Sequence, residues 1–229
     1  MTARLPFTDR TQAGQLLARR LDHLRSAGPL VLALPRGGVP VGFEIARSLG
    51  AELDVLMVRK LGAPGHPEYA IGAIVDGDRP QMVLTPEAEE ILAASPGYLE
   101  REKARQLAEL GRRRHAYVGS RAQTAIKGRT VIIVDDGVAT GATIIAAISG
   151  IRKAEPARIV LAVPVSPKDT ATQLEQLSDE CVVLATPEPF LSVGRHYWDF
   201  SEVSDAEVIQ LLADARAFFR PASTCSTKP

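Results

Sequence analysis

Residues 131–143 read Val-Ile-Ile-Val-Asp-Asp-Gly-Val-Ala-Thr-Gly-Ala-Thr, and their order governs how the rest of the chain is understood. The apolar run Val131–Val134 has the composition of a strand buried on both faces. Asp135 and Asp136 close it, Gly137, Val138 and Ala139 make a turn of small residues, and Thr140 to Thr143 open a helix. The first turn of a helix carries backbone N–H groups with no internal partner, and its dipole favours negative charge, so this loop is a candidate anion site. Gly137 and Gly141 let the backbone come close, Ala142 adds no bulk, and Thr140 and Thr143 add hydroxyl donors. The paired carboxylates suit two neighbouring hydroxyls or a metal-bound diol. A ligand with a phosphate at one end and vicinal hydroxyls nearby is a ribose 5-phosphate. The same residues also fit a plain Asp-Asp-Gly turn with Thr143 capping the helix, and spacing alone leaves both open. Neither Gly-x-x-x-x-Gly-Lys-Ser/Thr nor Gly-x-Gly-x-x-Gly is present, which argues against a P-loop and a dinucleotide fingerprint.

Outward from this stretch, apolar runs alternate with helical patterns. Residues 11–26 place Leu17, Leu21 and Leu24 at helical spacing until Gly28-Pro29 stops them. Residues 29–34 form a strand closed by Pro35-Arg36-Gly37-Gly38. A helix is expected at 40–49 and a second strand at 53–58, with Arg59-Lys60 at its end. Residues 62–69, with two glycines and two prolines, suggest a long exposed loop. Residues 71–75 and 81–84 look like hairpin arms. From Thr85 to Val118 the chain is helical and charged, broken at Pro96-Gly97. Strands follow near 130–135, 158–163 and 181–185, with helices near 141–153, 169–178 and 205–219. This alternation predicts an α/β fold, a parallel sheet flanked by helices, with ligands beyond the carboxyl ends of its strands. One domain over residues 1–220 is expected, with a disordered tail at 221–229.

The 229 residues carry 27 lysines and arginines against 27 acids, so no global field recruits nucleic acid or an anionic membrane. The two cysteines cannot build a disulfide framework, which fits a reducing cytosol; Cys181 reads as a buried small hydrophobe and Cys225 lies in the tail. The opening residues carry charges and a proline where a signal peptide needs an apolar core. No apolar stretch reaches the roughly 20 residues of a membrane span. A cytoplasmic protein is expected.

Residues 131–143 resemble the phosphoribosyl pyrophosphate motif of the type I phosphoribosyltransferases, and the likeness extends over about 29–185 in the same element order. The resemblance implies a Rossmann-like sheet with a hood, here from 1–28 and about 187–204, and a helical insert at about 85–118 that the minimal family lacks. It implies that Asp135 and Asp136 grip ribose hydroxyls, that Gly137 to Thr143 cradle the 5-phosphate, and that Arg36, Gly37 and Gly38 hold pyrophosphate, often around a non-proline cis peptide. Arg59 and Lys60 match a second basic pair on pyrophosphate. The loop 62–69 would be a mobile flap, with Glu68, His66 and Tyr69 as its competent side chains. Mg2+ would arrive largely on substrate oxygens, near Asp135 and Asp136. The implied activity is transfer of the phosphoribosyl group to a small acceptor with loss of pyrophosphate; Asp135, Asp136, Arg36 and Glu68 are the candidate catalytic residues.

Two departures narrow the acceptor. The 6-oxopurine enzymes of this family carry an aspartate where Ala139 stands, and a base-reading lysine where residues 161–165 have none. Both absences disfavour hypoxanthine and guanine. Alanine at this place is similar to the adenine enzymes, in which a flap glutamate assists, a role Glu68 could take. Phe190, Tyr197 and Trp198 could stack on a planar base or pack the hood. The insert's charges suggest a solvated face or a subunit contact, as in a homodimer. A competing reading is a phosphoribosyl pyrophosphate sensor that binds nucleic acid; Arg112-Arg113-Arg114 is its one local support. A phosphate-ester hydrolase using Asp135 ranks below both, lacking the Asp-x-Asp loop start.

Overall fold

A computed structural model describes residues 5–77, 80–93 and 95–219; the expected disordered tail, with Cys225, lies outside the described residues. Five parallel strands form the central sheet: β1 (Leu30–Ala33), β2 (Glu52–Val55), β6 (Thr130–Val134), β7 (Arg158–Val165) and β8 (Glu180–Ala185), in the order β2-β1-β6-β7-β8. Strand pleating sends alternate residues to opposite faces. Ile132, Val134, Val160 and Ala162 therefore pack with Leu17 of α1 (Arg10–Arg20), Ile45 of α2 (Gly38–Leu49) and Val208 of α7 (Asp205–Phe218). Val131, Ile133, Ile159 and Leu161 pack instead with Ile144 and Ile148 of α5 (Ala142–Lys153) and Leu174 of α6 (Lys168–Leu177). Both faces are thus covered, which is why these strands read as unbroken apolar runs.

The second strand departs from expectation. It ends at Val55, and after Leu56-Met57 the chain turns into a separate antiparallel sheet of β3 (Val58–Ala63), β4 (His66–Val75) and β5 (Gln81–Leu84). Arg59 and Lys60 therefore lie inside a strand and not at the end of one. Residues 62–69 are not a long loop but the tip of a hairpin. Their glycines serve a register shift around Leu61 to Ala63 and a tight turn in which Gly65 has φ of 75°. The helix expected at 11–26 ends at Arg20, and a 3-10 turn covers Asp22–Ala27.

The insert forms α3 (Ala88–Ala93) and α4 (Tyr98–Val118), and one face of α4 is buried: Glu102, Gln106, Leu110, Arg114 and Val118. Arg114 anchors it, donating to Asp54 Oδ2 at 2.6 Å, Asp76 Oδ2 at 3.2 Å and the Val55 carbonyl at 3.1 Å. Asp76 Oδ1 in turn accepts from the Met57 N–H at 2.6 Å. Burial pushes the Asp76 carboxyl up to about 6, against the opposing pull of Arg114. This buried cluster fixes α4 over the junction between the two sheets.

Candidate functional site

The loops after β1 and β6, two neighbouring strands, meet beyond their carboxyl ends. The Leu34 N–H donates to the Val134 carbonyl at 2.9 Å, and the Pro35–Arg36 peptide is cis, as the family resemblance implied. A Cβ on Gly37 would stand 2.0 Å from Asp136 Oδ2, and one on Gly38 would stand 2.7 Å from the Val134 carbonyl oxygen. Both residues must be glycine for the loops to touch, a reason that the positions alone could not reveal.

The acid pair is partly buried. Asp135 Oδ1 accepts from the Asp136 backbone N–H at 2.9 Å. Asp136 Oδ2 accepts from Arg10 Nε at 2.8 Å. Arg10 also donates to the Ser201 carbonyl at 2.8 Å and lies over the Phe200 ring at 3.9 Å from its centroid. The Tyr197 hydroxyl donates to the Asp136 carbonyl at 2.5 Å. Burial raises both carboxyls above the usual range; repulsion from Asp136 raises Asp135 further, while Arg10 pulls Asp136 back down. Burial, with the negative Asp136 nearby, likewise pushes the Tyr197 phenol up. Arg10 had no role in the sequence reading, and Tyr197, read there as a base-stacking or hood-packing aromatic, packs between Phe7 and Phe200 and bonds the Asp136 carbonyl. No local pattern marks Arg10, whose partner is 126 positions away.

The loop that follows is held by backbone. The Val138 N–H donates to the Val165 carbonyl at 2.9 Å, and Thr170 Oγ1 donates to the Ala139 carbonyl at 3.0 Å. Gly141, at φ of 79°, precedes α5, and no side chain caps that helix. Thr143 is therefore not the cap that the plain-turn reading required. Ala139, Thr140, Ala142 and Thr143 are exposed, so solvent or a ligand can reach the start of the helix.

A cleft of about 400 Å³ opens beside these loops, lined among others by Pro35, Arg36, Arg59, Arg113, Tyr117 and Thr143. The acid pair does not line it; Thr143 and the Pro35-Arg36 loop connect the two regions. Arg36 is ion-paired with Glu202, and Asp205 Oδ1 is 3.9 Å away. Arg59 donates to Gln106 Oε1 at 3.0 Å. Lys60, its neighbour on β3, lines a different and mainly apolar cleft of about 350 Å³ against α5. Strand alternation thus separates the two basic residues that the resemblance paired. His66 and Tyr69 are exposed near the hairpin tip, and the Glu68 side chain lies outside the described residues.

The hood aromatics mostly pack on one another: Phe7 with Tyr197 at 5.4 Å, Tyr197 with Phe200 at 5.1 Å, and Phe190 with His196 at 5.2 Å between ring centroids. Trp198 stays 78% exposed. Among the described residues, no group of three or more His, Cys, Asp or Glu could hold a metal. No helix among them is long and apolar enough to cross a membrane.

A phosphoribosyl transferase domain model matches residues 11–198. Two Mycobacterium tuberculosis proteins, Rv0571c and MT0597, whose names provisionally call them phosphoribosyl transferases, are each 44% identical over 216 residues, 94% of this chain. The chain spans about half, 48%, of the length of these relatives. Among solved structures, TT1426 from Thermus thermophilus is similar at 47% identity and a TM-score of 0.80, covering 92% of this chain and 99% of its own.

Proposed function

The chain belongs to the phosphoribosyl transferase family, and from that membership we propose that it moves the 5-phosphoribosyl group of phosphoribosyl pyrophosphate to a small, nucleobase-like acceptor with release of pyrophosphate. The observation that carries this reading is the partly buried acid pair at the end of β6. It is wedged against Gly37 and Gly38 and followed by an uncapped helix N-terminus. In this reading the exposed first turn at Thr140–Thr143 receives the 5-phosphate, where free N–H donors and the helix dipole favour an anion. Asp135, whose one described partner is a backbone N–H, takes the ribose hydroxyls, and Asp136, held by Arg10, supports it.

Bond cleavage at the anomeric carbon leaves negative charge on the departing pyrophosphate. Donors placed where that charge grows lower the barrier most. In this reading Arg36 and the Gly37 N–H supply those donors, with Arg59 on β3 beside them; the Gly38 N–H is already bonded to the Leu34 carbonyl at 3.0 Å. Arg36 must first leave Glu202, and an exposed ion pair of that kind contributes only about 0–1 kcal/mol, so a phosphate can displace it. Magnesium, bound to phosphate and water oxygens beside Asp135 and Asp136, would add charge neutralisation. Ala139 and the lysine-free stretch 161–165 disfavour hypoxanthine and guanine as acceptors.

Thermal-shift and calorimetric titration with phosphoribosyl pyrophosphate and Mg2+, followed by pyrophosphate release across a nucleobase panel, tests the proposal. Stabilisation lost in Asp135→Asn/Asp136→Asn, with turnover on at least one base, supports it. No response of the wild-type chain to phosphoribosyl pyrophosphate refutes it, and binding without turnover reassigns the fold to sensing.

A further inference from the structure

Arg112 and Arg113 have no part in the transferase reading, although both line the same cleft as Arg36 and Arg59. On α4, Glu109, Arg113, Ala116 and Tyr117 recur at the three- and four-residue spacing of one helix face, beside the buried stripe of Gln106, Leu110 and Arg114. Because Arg114 is turned inward to Asp54 and Asp76, the run 112–114 is not a continuous basic strip for a nucleic acid backbone. Its first two members instead look into a concave, partly apolar cleft that also contains Leu56, Met57 and Val58.

Among the described residues, three of the four arginines there make a direct ion pair, two of them with the same carboxylate. Arg112 and Arg113 share one carboxylate, Glu109, at 2.9 and 2.6 Å. Arg36 has Glu202, with Asp205 near, and Arg59 donates to the neutral amide oxygen of Gln106, with the Glu102 carboxylate close enough to interact with it. The side chains of Arg112 and Arg113 are 68% and 48% exposed, so their bonds to Glu109 are of the weak, exchangeable kind. Guanidinium forks match carboxylate and phosphate oxygens in pairs.

Building on the transferase reading, we propose that Arg59, Arg112 and Arg113 form an anion-binding wall. It takes a phosphate or carboxylate group of a ligand lying against the Pro35–Gly38 loop, and through it the α4 insert selects that ligand. The anion can come from the donor, as its diphosphate, or from an acid group on the acceptor. Tyr117, whose hydroxyl donates to Asp205 at 2.7 Å, closes the cleft beside α7.

Calorimetry on the full chain with Mg2+ present separates these sources. The proteins are wild type and Arg112→Ala/Arg113→Ala; Arg112→Lys/Arg113→Lys keeps the charge but loses the fork. The probes are inorganic pyrophosphate and two matched pairs, pyridine-3-carboxylate with its carboxamide and uracil-6-carboxylate with uracil. Ribose 5-phosphate, which needs only the loop at 137–143 and the acid pair, is the control. The alanine variant is expected to bind pyrophosphate or a carboxylated probe at least tenfold more weakly, with ribose 5-phosphate unchanged within twofold and the lysine variant in between. Loss confined to pyrophosphate assigns the wall to the donor; loss of the preference for acid over neutral partner assigns it to the acceptor. If wild type binds neither kind of anion, or the variant binds both as wild type does, the proposal is overturned. Failure of ribose 5-phosphate to bind wild type counts against the transferase reading alone, because the wall is read by the other probes.

Discussion

Replacing Arg10 by methionine tests how the acid pair is kept ready. The guanidinium and the Asp136 carboxylate are 11% and 15% exposed and 2.8 Å apart, so the substitution strands a nearly buried negative charge next to a second one, Asp135. Removing one partner of a buried pair costs about 3–5 kcal/mol when the other stays ionised. Residual exposure and the methionine's own contact with Phe200 favour the lower end, about 3 kcal/mol at pH 8. The loss should depend on pH. Without Arg10, the Asp136 pKa, already raised by burial, rises further above its unfolded value of 3.8. A folded chain that binds the proton more tightly than the unfolded chain loses stability as pH rises from 3.8 through the folded pKa. Below that window Asp136 is neutral, and only the bond to Ser201 and the ring contact are missing, roughly 1–2 kcal/mol. Urea denaturation of wild type, Arg10→Met, Asp136→Asn and the double variant at pH 4.5 and pH 8 measures this. A pH-independent loss, or no coupling between the two substitutions at pH 8, would refute the account.

Gly37→Ala forces a methyl to within 2.0 Å of the Asp136 carboxylate. Overpacking of about 1–3 kcal/mol should appear as a lowered Tm, with phosphoribosyl pyrophosphate affinity at least tenfold weaker by calorimetry; near-normal binding would show that the loops are not packed as described. Asp76, pushed up to about 6 by burial, favours the folded chain while protonated, below 3.8, and that contribution is lost as pH rises through about 6. Asp76→Asn should therefore remove a fall in stability between pH 4 and 6, and denaturation curves with identical pH slopes in both proteins would count against the assignment.

Much of the central sheet was legible from composition. Strands covered on both faces are apolar throughout, so β1, β6, β7 and β8 stand out without alignment to anything else. The same principle misled at 53–58, where apolar residues run straight through the junction between two sheets and hide the break at Leu56-Met57. The glycines and prolines of 62–69 resembled a loop because the residues that build a bulge and a tight turn are the residues that build loops. The Asp-Asp-Gly-Val-Ala-Thr-Gly segment was readable because its residue types, a strand-end acid pair and a small-residue turn before a helix, are themselves contiguous in sequence.

The sequence by itself determined the alternation of strand and helix, the acid pair at a strand end, the small residues after it and the glycines at 37 and 38. These are local properties, set by periodicity, backbone sterics and the free donors of a helix's first turn. Only the tertiary structure decided which groups meet those carboxylates and which side of a strand each cation faces. The order β2-β1-β6 sets the 35–38 loop against Asp136, and the hood lays Arg10 and Tyr197 over it. Pleating sends Arg59 toward α4 and Lys60 toward α5, and one buried arginine turns a charged insert into a wall of the cleft. Such partnerships follow from strand order and packing across long sequence separations, and no window of residues contains them.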